Sequence, residues 1–379
     1  MKNTSFVCAV LLTLSCSSSK DAAPVPPTTD AGTDAAKPAD PYVEAVKAAQ
    51  WAPMEKAPKL SQGKMDDVFF IDENVGFAVS GQTSSVLKTT DGGASWKSVL
   101  KNNNAFFRAL LFTSDQHGFV GNLGAGLAPD ISDANVLYET KDGGTTWAPV
   151  TNITGSTPKG ICNLSALDAK HLIAVGRTNG PAHVIMSSDG GANWVSTDVG
   201  NQLSMLIDAH YVSASEAIIV GMNKPGAGAG AASSCTALRT TDGGKTYSTV
   251  FTSKAAGSLC WKVDFPSKDI GYIAVQQKGE GPPSFAKTID GGKTWEELPL
   301  PAGDDPAAPY PTLALGFVND KIGWAVSEDP DLPSYRTYDG GLTWEVDAIK
   351  APINRFRFIN ARTGYAIGGT IWKLSVSAQ

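Results

Sequence analysis

Thr90-Asp91-Gly92-Gly93-Ala94-Ser95-Trp96 is the stretch whose repetition decides the fold. Its pattern returns as Lys141-Asp142-Gly143-Gly144-Thr145-Thr146-Trp147, Ser188-Asp189-Gly190-Gly191-Ala192-Asn193-Trp194 and Thr241-Asp242-Gly243-Gly244-Lys245-Thr246-Tyr247. It returns twice more as Ile289-Asp290-Gly291-Gly292-Lys293-Thr294-Trp295 and Tyr338-Asp339-Gly340-Gly341-Leu342-Thr343-Trp344. Successive aspartates stand 51, 47, 53, 48 and 49 residues apart. A period near 50 with strand-like content signals propeller blades, small sheets that bury their faces against their neighbours. Between two strand runs, Asp-Gly-Gly reads as a hairpin turn, because glycine accepts positive φ and the carboxylate can accept backbone N–H groups inside the turn. The closing aromatic then packs on the turn.

A second element precedes each box, a strand pair bent at or near glycine. Its first copy is Phe69-Phe70-Ile71 followed by Gly76-Phe77-Ala78-Val79, and its last is Phe356-Arg357-Phe358 followed by Gly364-Tyr365-Ala366-Ile367. There are seven copies of this pair against six boxes. After the seventh, only Thr370-Ile371-Trp372-Lys373-Leu374 precedes the end of the sequence, which leaves that blade one strand short. Trp51-Ala52-Pro53 resembles Trp147-Ala148-Pro149 but has no Asp-Gly-Gly ahead of it, as expected of a strand whose hairpin partner lies at the other end. The pattern predicts an all-β, seven-bladed propeller over residues 46–379, closed by an amino-terminal strand that completes the last blade. Closure removes the open edge on which another chain could pair.

Ahead of that body, Lys2 precedes an apolar run over residues 6–14 and then Ser15-Cys16, the pattern of a signal peptide over residues 1–15. It resembles a bacterial lipoprotein signal, which implies cleavage before Cys16, lipidation of that cysteine and, with Ser17 next, sorting to the outer membrane. Residues 16–45 are rich in Pro and Ala, too poor in apolar side chains to offset their ordering entropy, and read as a disordered tether. The expected location is the cell envelope, with membrane contact through the lipid anchor alone, since no run approaches the roughly 20 apolar residues of a spanning helix.

The formal charge is −6, with 31 Lys and Arg spread thinly, which argues against nucleic-acid binding. In an oxidising compartment Cys162, Cys235 and Cys260 allow one disulfide. Cys235 lies in a loop between the other two; the shorter span favours Cys235 with Cys260, and three unpaired thiols are the alternative. Asp91, Asp142, Asp189, Asp242, Asp290 and Asp339 offer one carboxylate per turn, short of the six to eight oxygens of a calcium site. His117, His171, His183 and His210 share no ligand spacing and read as surface or turn residues. No metal and no cofactor is expected.

The six segments resemble the Asp-box, S/T-x-D-x-G-x-x-W, of bacterial neuraminidase repeats and other propellers. Seven blades with such boxes resemble the photosystem II assembly and stability factor family over essentially the whole body. That resemblance implies a non-enzymatic propeller; its photosynthetic members assist a reaction-centre subunit through clustered arginines on one face. Here only Arg108, Arg355 and Arg357, with Lys262, lie on inner-strand segments. The resemblance to sialidases would require an arginine triad, a Tyr-Glu pair and a Phe-Arg-Ile-Pro segment near the start, which is absent; Phe356-Arg357-Phe358 fills a repeat position in the last blade. Xyloglucanase-type enzymes use two such propellers, and this chain has one. Asp66, Asp67 and Asp264 could serve a paired-carboxylate mechanism, but read more simply as inter-blade ion pairs such as Asp67 with Arg355.

With the strands of a blade named a to d from inside outward, each Asp-Gly-Gly is a c–d turn on the same face as the a–b turns. The longer b–c segments 121–135, 223–235, 277–284 and 327–334, and the d–a segment 301–311, all fall on the other face. Insertions gathered on one face of a repeat fold mark its binding face. The expected contact residues there are Phe106, Phe107, Arg108, Lys159, Trp261, Lys262, Tyr310 and Arg355, a mixture of aromatic and basic groups suited to an interface. The sequence thus points to a monomeric, lipid-anchored, non-catalytic propeller that binds an envelope or membrane protein, with a glycan-hydrolysing or glycan-binding propeller as the alternative.

Overall fold

The computed structural model describes residues 40–224, 232–277, 283–301 and 311–377. Their strands form seven sheets of four antiparallel strands built by consecutive hairpins, except at the seam and in blade three, where Ile153–Gly155 adds a fifth strand parallel to Trp194–Asp198. The inner strands Asp67–Phe70, Phe107–Phe112, Asn163–Ala166, Leu203–Ser213, Leu259–Asp264, Thr312–Phe317 and Arg355–Asn360 follow one another around the ring, and the seventh returns to the first. In the last blade Trp51–Pro53 pairs antiparallel with Ile371–Ser375, Trp51 lying opposite Leu374. The chain is a seven-bladed β-propeller whose ends are fastened in one sheet.

Trp51 is buried and packs edge-on to Trp324 at 5.6 Å and against Phe356 at 5.1 Å. Immediately before it stands a helix, Pro41–Ala48, capped by the Asp40 carboxylate and burying Ala45 and Val46 in the same cluster as Trp51. Residues 41–45, read from the sequence as the end of a disordered tether, are therefore part of a helix packed on the last blade. Asp at the N-cap followed by Pro at the first helical position was the signal for it.

The Asp-Gly-Gly turns share one geometry. In the second blade Asp142 accepts the Thr146 hydroxyl at 2.6 Å and its N–H at 2.8 Å, while Gly144 N–H donates to Thr140 Oγ1 at 2.8 Å. Those bonds hold the Asp142 carboxyl down at about 2, and the matching groups of Asp91 and Asp242 at about 2. Gly144 has φ +83°, and a Cβ there would lie 2.8 Å from the Phe77 ring of the preceding blade. Gly341 meets Phe285 at 2.7 Å in the same way. The second glycine is thus required twice, by the turn's left-handed backbone and by the closeness of neighbouring blades. Of the closing aromatics, Trp96, Trp147, Trp194, Trp295 and Trp344 each lie near-perpendicular to a phenylalanine, with ring centres no more than 6.3 Å apart, and Tyr247 packs beside Met186.

Cys235 and Cys260 are joined by a disulfide that ties the third strand of blade four to the inner strand of blade five; Cys162 is free and buried. Among the described residues no helix is long and apolar enough to cross a membrane.

Candidate functional site

The channel edge of each inner strand has no strand beside it, so its N–H and C=O groups need other partners. One sequence column supplies many of them. Nine residues before Gly76, Gly118, Leu172, Ala217, Gly271, Gly323 and Gly364 of strand b stand Asp67, Ala109, Asn163, Asp208, Lys262, Ala314 and Arg355, polar in five blades of seven. Asp67 accepts the Leu110 N–H of the next blade at 3.0 Å, and Asp208 accepts that of Val263 at 3.2 Å. Two residues further along its strand than this column, Asp264 accepts the Phe317 N–H at 2.7 Å. Asn163 donates to the Ala209 carbonyl at 3.3 Å. Each bond clips one blade to the next.

Ion pairs overlie these clips. Arg357 reaches Asp67 through two nitrogens at 3.0 and 2.7 Å, and Arg355 bridges Asp67 at 3.4 Å and Asp208 at 3.6 Å. Burial alone would push the Asp67 carboxyl up, but Arg357, Arg355 and the hydrogen bonds outweigh it and hold it below the ordinary range. Asp66, paired with Arg108 at 3.3 Å, is pushed up because burial prevails there. Burial likewise pushes Asp264 up to about 6 and His210 down to about 4.

The channel ends differ. At the b–c/d–a end Trp261 is 9% exposed and donates from Nε1 to Asn354 Oδ1 at 3.1 Å. Lys64, Arg108 and Lys262 stand 4.6, 5.3 and 5.1 Å from its ring centre. Burial and then the charge of Arg355 depress Lys262 well below the ordinary lysine value, with Arg108 and Lys64 adding to the effect. Partly buried Phe106, Leu127, Met205 and Leu259 pack around the same cluster. At the opposite end a cavity of about 480 Å³ is lined by residues of the inner strands and the turns that follow them, with Asn163, Asp208, His210, Asp264, Arg355 and Arg357 among them.

These positions sort the expected contact residues. Arg108, Trp261 and Lys262 converge at one end of the channel, Phe106 packs beside them, and Lys159 is exposed on the d–a segment before blade three. Phe107 is a correction: it is fully buried between blades, 5.8 Å from the Tyr138 ring, because side chains alternate along the strand and the neighbour of an outward residue points inward. Arg355 is a second correction, held in the ion-pair network and facing the cavity at the other end. Tyr310 and Cys16 lie outside the described residues. His183 is buried and His210 faces the cavity, so neither is the surface residue its spacing suggested; His117 and His171 do sit at bends, beside Glu139 and Asp168. Sequence reading missed Lys64, Asn163 and Asp208; the channel column flags the last two, and Lys64 stands outside it. Among the described residues no three His, Cys, Asp or Glu side chains could hold a metal ion.

Asp264 and His210 give a pH signature. A carboxyl raised from near 4 to about 6 lowers stability as pH rises through that window, because the folded state binds the extra proton. A histidine lowered from about 6.5 to about 4 does the reverse, since the unfolded state holds the proton. The two slopes oppose between about pH 4 and pH 6. We expect stability, measured by urea unfolding, to rise less with pH between about 4 and 6 in His210→Gln than in the wild type, because the variant loses the histidine's rising share and keeps the falling share of Asp264. The same slope in both proteins would refute the pairing.

Seven blades around a polar channel, six of four strands and one of five, with the ends closed in one sheet, define this chain as a β-propeller of the seven-bladed class. Among solved structures it is similar to YCF48 bound to D1 peptide, at 18% identity and a TM-score of 0.60 over 87% of this chain and 100% of that one. YCF48 from Cyanidioschyzon merolae matches at 17% identity, TM-score 0.60, over 86% of this chain and 98% of that one. The xyloglucanase of Xanthomonas campestris matches at 14% identity, TM-score 0.59, over 86% of this chain but 53% of its own. No protein-family model matches the chain, and no curated protein does.

Proposed function

We propose that this chain is an exported, lipid-anchored, non-catalytic propeller that binds a protein partner through its b–c/d–a face. The observation that carries the reading is Trp261 at that end of the channel with Lys64, Arg108 and Lys262 within 5.3 Å of its ring. An indole ringed by cations, one of them depressed by its neighbours, suits a partner segment that brings an acidic group beside an apolar side chain. The likeness to a propeller solved with a peptide bound supports a peptide or protein as the partner. Glycan hydrolysis fits less well, because Asp66, Asp67 and Asp208 are each committed to arginines and leave Asp264 without a second free carboxylate.

The test is in-cell cross-linking of the tagged full-length protein followed by mass spectrometry, beside a Lys64→Glu, Lys159→Glu variant checked for an unchanged melting temperature. One dominant protein captured by the wild type and lost from the variant is the expected result. Co-purifying polysaccharide with no enriched protein would move the reading to the glycan alternative. Metabolic labelling with palmitate, expected to fail in Cys16→Ser, tests the anchor.

A further inference from the structure

Lys262 holds the clip column's place in blade five, yet no clip accounts for it. Where Asp67 and Asp208 accept an N–H of the next blade, an ammonium cannot, and in this blade Asp264 accepts from Phe317 instead. Lys262 is 5% exposed and makes no hydrogen bond or ion pair among the described residues; its Nζ stands 5.1 Å from the centre of the Trp261 ring. The other cations of the channel are engaged. Arg355 bridges Asp67 and Asp208, Arg357 holds Asp67, Arg108 reaches Asp66, and Lys64 donates to Asn354 Oδ1 at 3.1 Å.

A buried ammonium whose donors are unused is costly, and the face of an aromatic ring recovers only part of that cost. The same ring already serves Lys64 at 4.6 Å and Arg108 at 5.3 Å, so three positive charges crowd one indole. The ammonium is not sealed off, unlike Trp51 Nε1 and Tyr365 Oη, which are buried without partners. An anion entering at the channel mouth therefore has a donor to meet, and hydrogen bonds between charged groups are the strong ones. Around the same cluster Phe106, Leu127, Met205 and Leu259 are partly buried. Such an apolar rim suits an anion that carries a hydrocarbon part, and not a compact, fully hydrated inorganic ion.

We infer that the b–c/d–a mouth of the channel binds an organic carboxylate, received by Lys262 with Arg108 and Lys64 beside it and with its hydrocarbon part against the rim at Phe106 and Met205. The carboxylate belongs either to a free alkyl acid or to an acidic side chain of a bound peptide; the recognition chemistry is the same. The inference rests on the reading of this face as the binding face and goes further, naming the group received and the residue that receives it.

The test is isothermal calorimetry on the folded protein with hexanoate and Nα-acetyl-glutamate amide, beside n-hexanol as the uncharged control and sulfate as the inorganic one. At least one carboxylate is expected to bind, and hexanol and sulfate to bind more weakly by about tenfold or more. Binding of hexanoate alone assigns a free acid, binding of the glutamate amide alone assigns a peptide side chain, and binding of both leaves the site open to either source. Lys262→Met removes the ammonium and keeps the length of the side chain. It is expected to weaken binding by about tenfold or more with the melting temperature unchanged or raised, since Lys262 makes no bond that folding would lose. Should that variant fail to fold, Lys64→Gln, on a partly exposed side chain, is expected to weaken binding by about threefold. No heat with either carboxylate, equal binding of hexanol or sulfate, or unchanged affinity in the variants would overturn the inference. Cross-linking reads the partner separately: a captured protein beside calorimetry without heat removes the carboxylate site alone, and carboxylate binding with no captured protein removes the partner alone.

Discussion

Trp51→Ala is expected to cost about 3–5 kcal/mol, the range for removing a buried aromatic from a packed core. The side chain sits where the two ends of the chain meet, against Trp324, Phe356 and Phe358, and its strand is the outer partner of Ile371–Ser375. Its truncation empties the seam of the last blade and loosens the one sheet that no hairpin secures to its outer strand. A fall in melting temperature of roughly 5–10 °C should accompany it. Trp51→Phe should cost much less, because the indole N–H makes no hydrogen bond and only the ring is needed. Deleting residues 40–53 goes further and bares the edge of Ile371–Ser375, so size-exclusion chromatography should show association in place of monomer. Should Trp51→Ala unfold within about 1 kcal/mol of wild type, the seam is held elsewhere, with the helix Pro41–Ala48 the first place to look.

Asp67→Ala is the second large effect, again about 3–5 kcal/mol, because it strips the shared counter-ion from Arg355 and Arg357, leaving Arg357 uncompensated inside the channel and Arg355 with Asp208 alone. It also orphans the Leu110 N–H. Asp67→Asn keeps an acceptor for that N–H and should fall between wild type and alanine. The pH dependence has a definite sign. The folded carboxyl sits below its ordinary value, so its contribution is complete above about pH 4 and is lost as pH falls through the depressed value. Urea unfolding of wild type and Asp67→Ala should therefore differ most near neutrality and converge under acid. A gap that persists unchanged at low pH would mean that packing, and not charge, holds the first blade to the last.

The blade count and the closing strand were legible because each rests on a pattern counted along the chain: six Asp-Gly-Gly turns, seven bent strand pairs, and Trp51 without a turn of its own. The inter-blade pair of Asp67 and Arg355 was legible for the same reason, since both fall at one register of the repeat. The side chains that face the channel were harder. Phe106 and Phe107 differ by one residue and point to opposite sides, and no local feature says which. Asn163 and Asp208 look unremarkable in their own strands and stand out only when the blades are aligned on Gly76 and its counterparts in strand b. Lys64 lies before the first inner strand, outside the repeat, and no periodicity reaches it. The helix Pro41–Ala48 was hidden by the Pro- and Ala-rich composition running into it, although its cap was written in Asp40 and Pro41.

The pairing of Trp51 with Leu374 also bears on how the ring is made. The strand synthesised first among the seven sheets is completed by one synthesised last, across nearly the whole folded body. Six blades can form from local hairpins as the chain lengthens, but the seventh cannot, and the pairing that locks the circle has the greatest sequence separation of any strand pairing among the described residues. Until then the growing chain is an open arc with an apolar sheet face uncovered at each end, the stage at which such species aggregate. Refolding should accordingly show early hairpin formation and a late step that reports on Trp51.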